Sequence, residues 1–339
     1  MDIENEWENF LICDNSRESE VIYENEAVNM KQIPKCSPIY ISTKTNIAYF
    51  NNSIDLDDIF WKIDIIDYYE NKNGIIKKQM KFNSLSKEEL ENIEDMYEKE
   101  TKYKTTDVIT HIDTSYSKKG VFKDVRKISV GISKKDVMSY RTKKKSAFYN
   151  CFVLILRLFN KNDNTFKEIH MKIFNTGKIE VPGIQDDEIF YKSIDFIRDM
   201  LSKFYEDIDY SKNKVETVLI NSNFTCGYLV NREKLFDILI KKYKIQSLYD
   251  PCSYPGVQSK YIINDDGKEI TLSFMIFRTG SVLIVGKCDK KHLMVVYEFL
   301  KNIFKSEYEN INQNDTTIDL TKEKVKKQNK QRKKTIIRD

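Results

Sequence analysis

The sequence predicts an α+β protein built from two tandem copies of one unit, and three observations predict it. First, a short segment recurs in register. Residues 173–183 read IFNTGKIEVPG and residues 276–286 read IFRTGSVLIVG, so Ile, Phe, Thr and two glycines return at an offset of 103 residues. Second, each copy follows an apolar run of β type, HMKIF in one case and TLSFMIF in the other. Third, each copy precedes an amphipathic helical pattern. Phe190, Ile194, Ile197, Leu201 and Phe204 share a face in the first, as do Leu293, Val296, Phe299, Leu300 and Ile303 in the second. Self-similarity at a fixed spacing marks a supersecondary unit used more than once.

The elements follow in chain order. YISTKTNIAYF (40–50) reads as a strand and SIDLDDIFWKI (53–63) as a helix, with Asp55 or Ser53 as its N-cap. An insertion is expected at about residues 68–146. Its SLSKEELENIEDMYEKE (84–100) is a charged helix opened by Ser86, with Glu89 three residues on as a capping box. A basic, mixed segment follows. CFVLILRLF (151–159) is a strand, and the Gly177 turn then joins two short strands, because glycine adopts the positive φ that hairpin loops demand. In the second copy VETVLINSNFTC (215–226) is a strand, NREKLFDILIKKY (231–243) a helix, YDPCSYPG (249–256) a turn, and Gly280 repeats the hairpin. The expected organisation is an acidic extension over 1–37, repeat 1 over 38–206, repeat 2 over 207–308 and a basic tail over 309–339.

Charge is distributed unevenly. The net charge is only +4, yet residues 1–30 hold nine Asp/Glu against Arg17. Residues 118–145 hold eleven Lys/Arg against Asp124 and Asp136, and residues 321–339 hold nine Lys/Arg against Glu323 and Asp339. An acidic head with a basic middle and tail suggests a polyanionic partner, although a basic tail is equally well read as solvated chain. The six cysteines form no C-x-x-C and the three histidines no zinc spacing, which fits a reducing compartment and no metal or cofactor. The acidic start, MDIENEWENF, is unlike a signal or transit peptide, and no apolar run reaches a membrane span.

With the doubled IF-x-TG motif, YDPCSYPG and the last helix on the page, the sequence resembles the TATA-box-binding protein family. The likeness covers roughly residues 38–64 and 146–306. The interrupted first copy looks like the diverged versions encoded by large DNA viruses. The resemblance implies two tandem repeats forming a curved antiparallel saddle sheet, with helices on its convex face. It also implies a general transcription factor, not an enzyme, that binds and bends AT-rich promoter DNA through the minor groove. That groove is read by shape and bendability, and aromatic wedges between base steps kink the duplex.

Residue by residue, the resemblance assigns wedges to Phe174 and Phe277, with Tyr254 as the second wedge of repeat 2. In repeat 1 the strict match is Cys151, with Phe152 or Phe148 as substitutes. Phosphate contacts fall on Arg157, Lys260 and Lys178, while Ser281 replaces a family lysine. The family's base-reading Asn and Thr positions match Thr43, Thr217, Pro182 and Val285. Leu283 faces the groove, and Glu180 stands where the family is apolar. Asp250 remains of an acidic surface that docks a transcription factor IIB-like protein alongside RNA polymerase machinery. Location in the nucleus, or in the host cytoplasm for a cytoplasmic virus, is implied. The alternative is an interaction scaffold that kept the fold and lost DNA, motivated by Glu180 and Pro182.

Enzymatic motifs are lacking. GSVLIVGKC (280–288) approaches a phosphate-binding loop, but it has five residues between its glycines where four are needed. It also has Cys288 where a Ser or Thr must ligate magnesium. No Ser/His/Asp arrangement and no carboxylate pair has a catalytic context.

Overall fold

The computed structural model describes residues 33–114, 120–138, 149–161 and 164–313. The acidic head over 1–30, the basic tail over 321–339, Phe148 and part of the basic middle lie outside the described residues. The chain divides into two units, Met1–Ile33 and Pro34–Asp339, and every element below belongs to the second.

Repeat 2 shows the unit plainly. Strand β8 (Glu216–Thr225) is followed by helix α5 (Arg232–Lys241) and strands β9 (Gln246–Leu248), β10 (Val257–Asp265), β11 (Lys268–Ile276) and β12 (Ser281–Gly286). Helix α6 (Lys290–Ser306) and a short α7 (Tyr308–Ile311) close it. In repeat 1, β1 (Tyr40–Tyr49) and α1 (Leu56–Lys62) lead to β2 (Gly74–Ser84), α2 (Lys87–Lys99), β3 (Lys104–Asp113), β4 (Phe122–Gly131) and α3 (Lys134–Met138). Strands β5 (Cys151–Asn160), β6 (Thr165–Phe174) and β7 (Lys178–Ile184) then precede α4 (Asp187–Leu201). The twelve strands among the described residues form one open antiparallel sheet in the order β3-β4-β2-β5-β6-β7-β1-β8-β12-β11-β10-β9. The fold class is therefore α+β, as expected.

The two copies are related by a pseudo-twofold that passes through the β1–β8 pair. Pairs Thr45↔Leu219 and Thr43↔Asn221 exchange under it, and Lys44↔Ile220 maps onto itself. The offset is 176 residues for the first strand and helix. Asp55 caps α1 by accepting the Asp58 N–H at 3.1 Å, and Asn231 caps α5 by accepting the Lys234 N–H at 3.1 Å. For the last hairpin and helix the offset is 103. Phe50 N–H donates to Gly177 O and Cys226 N–H to Gly280 O, both at 2.9 Å. Gly177 and Gly280 sit at φ +79° and +81°, and a Cβ there would lie 2.4 Å from Asn52 O and 2.3 Å from Tyr228 O. Steric exclusion, together with positive φ, explains why glycine stands at both.

Strand alternation builds two cores on one face of the sheet. In repeat 1, Phe152, Leu154, Leu156, Met171, Ile173, Ile179 and Val181 pack under α1 and α4 against Phe60, Phe190, Ile194 and Ile197. In repeat 2, Val257, Leu272, Phe274, Ile276, Val282 and Ile284 pack under α5 and α6 against Leu235, Leu293, Val296 and Leu300. The residues between them face the other way.

The insertion extends the same sheet. Strand β2 stands beside β5 as β9 stands beside β10, and β4 and β3 continue outward from it. Ser86 caps α2 by accepting the Glu89 N–H at 3.1 Å; the Glu89 carboxylate closes the box one residue early, on the Leu85 N–H at 2.7 Å. Buried Lys78 of β2 ties the extension to α1, donating to Ile63 O at 2.8 Å and pairing with Glu100 at 3.2 Å. Burial holds its ammonium below the ordinary lysine range, and Glu100 partly offsets this.

Candidate nucleic-acid interface

The face opposite the two cores is lined by the other residue parity. In repeat 1 it carries Ile47, Lys178, Glu180, Lys172, Phe174, Cys151 and Ile155, joined as cross-strand neighbours. In repeat 2 it carries Asn221, Asn223, Leu283, Val285, Ser273, Met275, Gln258 and Lys260. Helix α3 lies over the outer part of repeat 1 on this face. Asp136 accepts Lys77 Nζ at 2.8 Å, and the Lys134 N–H donates to Glu168 at 2.9 Å. The rest of this face has no helix packed on it among the described residues.

Aromatic side chains stand at the end of this face in each repeat. In repeat 2, Tyr254 and Phe277 meet with ring centroids 6.0 Å apart. Gly256 lies beneath both, and a Cβ there would sit 3.1 Å from each ring. Arg232 donates to Pro255 O and fixes the turn that carries Tyr254. Burial pushes the Tyr254 hydroxyl up to about 12, so it stays protonated.

In repeat 1, Phe174 is half-buried with Lys178 Nζ 5.0 Å from its ring centroid. Its cross-strand partner is Cys151, and Cys151 is the counterpart of Gly256, not of Tyr254. The β5–β6 turn is longer than the β10–β11 turn, so the offset in β5 is 105 rather than 103. Tyr254 therefore corresponds to Tyr149. This exposed tyrosine carries Lys81 Nζ 3.9 Å from its ring centroid. Reading YNCFV (149–153) gaplessly against YPGVQ (254–258) carries the signal for it.

Several sequence expectations change here. Phe152 is fully buried on the helix side, its ring 5.5 Å from Phe60, so it is no wedge. Arg157 is buried too. It donates to the carbonyls of Tyr68, Glu70 and Asp67 and lies over the Phe166 ring, pinning the start of the insertion instead of meeting phosphate. Its counterpart is Ile262; Lys260, exposed on the open face, answers to Ile155. Thr43 and Thr217 are not equivalent, because under the 176-residue offset they match Leu219 and Ile41. Thr43 instead accepts from Asn221 Nδ2 at 3.1 Å across the centre, and Thr217 donates to Asn46 at 2.9 Å.

The remaining sites are placed as follows. Leu283 lies on the open face between Met275 and Asn223, almost fully covered. Val285 stands opposite Asn221. The matching Pro182 lies in a one-residue bulge, where β1 pairing jumps from Val181 to Ile184 across Gly183 at φ +76°. Asp250 is exposed and accepts the Cys252 N–H at 3.0 Å and the Ser253 hydroxyl, which hold its carboxyl below the usual range. Lys178 lies 4.0 Å from Glu180. Among the described residues no group of three or more His, Cys, Asp or Glu is placed to hold a metal ion, and no helix is long and apolar enough to cross a membrane.

Two tandem strand–helix–strand–helix units sharing one antiparallel sheet, with aromatic residues ending the open face in each, define the class. Comparison with known proteins finds similar chains. The chain is 29% identical over 203 residues, 52% of its length, to a protein of Acanthamoeba polyphaga mimivirus named TATA-box-binding protein-like. It spans about half, 53%, of that relative. Among solved structures, Methanococcus jannaschii TBP matches 80% of this chain and 99% of its own at 14% identity and a TM-score of 0.42. No family model matches. The chain is thus similar to the TATA-box-binding proteins, in a diverged form of the kind a large DNA virus encodes.

Proposed function

We propose that this chain is a transcription factor that binds duplex DNA through the minor groove and bends it, nucleating transcription initiation. The observation that carries the reading is the recurrence of two aromatic residues at the end of the open face in both repeats, Tyr149 with Phe174 and Tyr254 with Phe277. Wedges inserted at two separated base steps unstack them and turn the duplex toward the protein. Lys178, Lys172, Lys81 and Lys260 supply phosphate contacts around them. Pro182 and Val285 lack the donors that would fix a central sequence, so recognition rests mainly on deformability. Promoter DNA, a transcription factor IIB-like protein and the polymerase machinery are the partners of this reading, and the place of action is the nucleus or a viral factory.

A second reading, a scaffold that works without DNA, draws support from Glu180 on the open face. The two separate in solution. An AT-rich duplex with a bend-sensitive fluorescence pair should shorten end to end on binding, with affinity falling steeply as salt rises. No bend and no salt dependence, together with retention of polymerase or a IIB-like factor without DNA, would favour the scaffold.

A further inference from the structure

Among the open-face positions at which the two halves differ in chemistry, one pair sets a carboxylate against an apolar side chain. Beside the central strands, repeat 1 places Ile47 opposite Glu180, and repeat 2 places Asn223 opposite Leu283 at the equivalent pair. The half-site surfaces are therefore not interchangeable. One presents a carboxylate where the other presents a leucine.

The carboxylate is prepared to face a polyanion. Lys172 Nζ donates to Glu180 Oε1 at 2.7 Å, and Lys178 Nζ stands 4.0 Å from Oε2. Two ammonium groups on one carboxylate leave the cluster net positive, which offsets the repulsion a bare glutamate would meet near phosphates. Four lone-pair sites serve a carboxylate, and Lys172 takes one. At 4.0 Å Lys178 makes an ion pair, not a hydrogen bond, so Oε2 keeps acceptor capacity. The side chain is 18% exposed, so a ligand lying on this face reaches it.

In the minor groove the bases show acceptors at every pair, and a single type of donor, the N2 amino group of guanine. An acceptor-only side chain on the protein is mismatched to A·T pairs and matched to that amino group. Leu283, an apolar side chain at the mated position, has no such partner. We propose that Glu180 accepts a hydrogen bond from a guanine N2 amino group beneath repeat 1, so that one half of the site favours a G·C pair and the other does not. The inference rests on the minor-groove reading above.

The test isolates the amino group. One AT-rich parent duplex is compared with duplexes carrying a single 2,6-diaminopurine·T pair at successive positions, which adds the N2 amino group alone. Matched duplexes carry G·C or inosine·C, which differ by the same group. At one position in one half, wild-type protein should bind the amino-bearing pair roughly 10-fold more tightly. Installing it in both halves should add nothing beyond the single gain and a statistical factor. In Glu180→Leu the ratio of guanine to inosine should fall to about 1 or below, with Glu180→Gln between. Loss of affinity at every position on adding the amino group, with the parent duplex still bound, would overturn the assignment and leave the function standing. An unchanged guanine-to-inosine ratio in Glu180→Leu would overturn it equally. Failure to bind the parent duplex would overturn the minor-groove reading itself, and this assignment with it.

Discussion

The two halves of the sheet share a plan and differ in what has been added to it. Repeat 2 is the spare version: five strands, two long helices, and a turn in which Tyr254 and Phe277 support each other. Repeat 1 carries 71 extra residues between its first helix and β5, since the offset between copies falls from 176 to 105 there. Its Tyr149 and Phe174 each have a lysine against one face of the ring, and its open face holds a carboxylate. The difference teaches that the core-facing layer is constrained by the fold, while the open face is free to diverge. Helix-side positions are mostly apolar in both halves; the opposite parity keeps little chemical identity.

The core layer gives the largest expected effect. Truncating Phe152 to Ala should cost about 3–5 kcal/mol in urea unfolding, because its ring fills the space between Phe60 and the sheet. Its counterpart Val257→Ala should cost roughly half as much, because a smaller side chain is removed from an equally buried site, and equal losses would contradict that scaling.

Arg157 offers the next contrast. Arg157→Met leaves the carbonyls of Asp67, Tyr68 and Glu70 without their donor and should destabilise by roughly 2–4 kcal/mol. The mated change, Ile262→Arg on an exposed position, should stay within about 0.5 kcal/mol. A phosphate-contact role for Arg157 would show the reverse pattern, with stability preserved and DNA affinity lost.

At the wedges the halves should converge. Tyr149→Ala and Tyr254→Ala are each expected to weaken DNA binding by roughly 10-fold, the scale of losing one aromatic–base contact. Thermal unfolding separates them. Tyr254→Ala should lower the midpoint slightly, through the lost contact with Phe277, and exposed Tyr149→Ala should leave it in place.

The smallest effect is titration of the insertion. Burial pushes the Asp124 carboxyl up, but Arg126 and His111 outweigh it and hold it below the ordinary range. A depressed carboxyl stabilises the fold above its unfolded value, about 3.9, and loses that contribution as pH falls through the folded value. Hydrogen-exchange protection factors over β3 and β4, corrected for the intrinsic rate at each pH, should therefore fall below about pH 4, and Asp124→Asn should remove that dependence.

Much of this was legible before the fold. The 103-residue offset placed Gly177 and Gly280 at matching hairpins, and the amphipathic patterns marked α4 and α6, because periodic burial leaves a periodic record. Register was not legible. A two-residue difference in the β5–β6 turn moved the wedge from Tyr149 onto Cys151 and Phe152, and such a slip is silent in composition. The insertion's β2 and β3 were missed for a related reason. GIIKKQMKFNS and KTTDVITHID mix charge into their strands, which suits an extension whose lysines pair with carboxylates and carbonyls rather than a purely apolar core.

The central claim is that the aromatic residues on the open face do the bending. Its most direct test is the end-to-end distance of a labelled AT-rich duplex bound by wild-type protein and by the Phe174→Ala/Phe277→Ala variant. The account predicts a bent duplex with the first and a nearly straight one with the second, at saturation and with the far-ultraviolet circular dichroism of the two proteins superimposable. A duplex bent equally by both, or by neither, would contradict it.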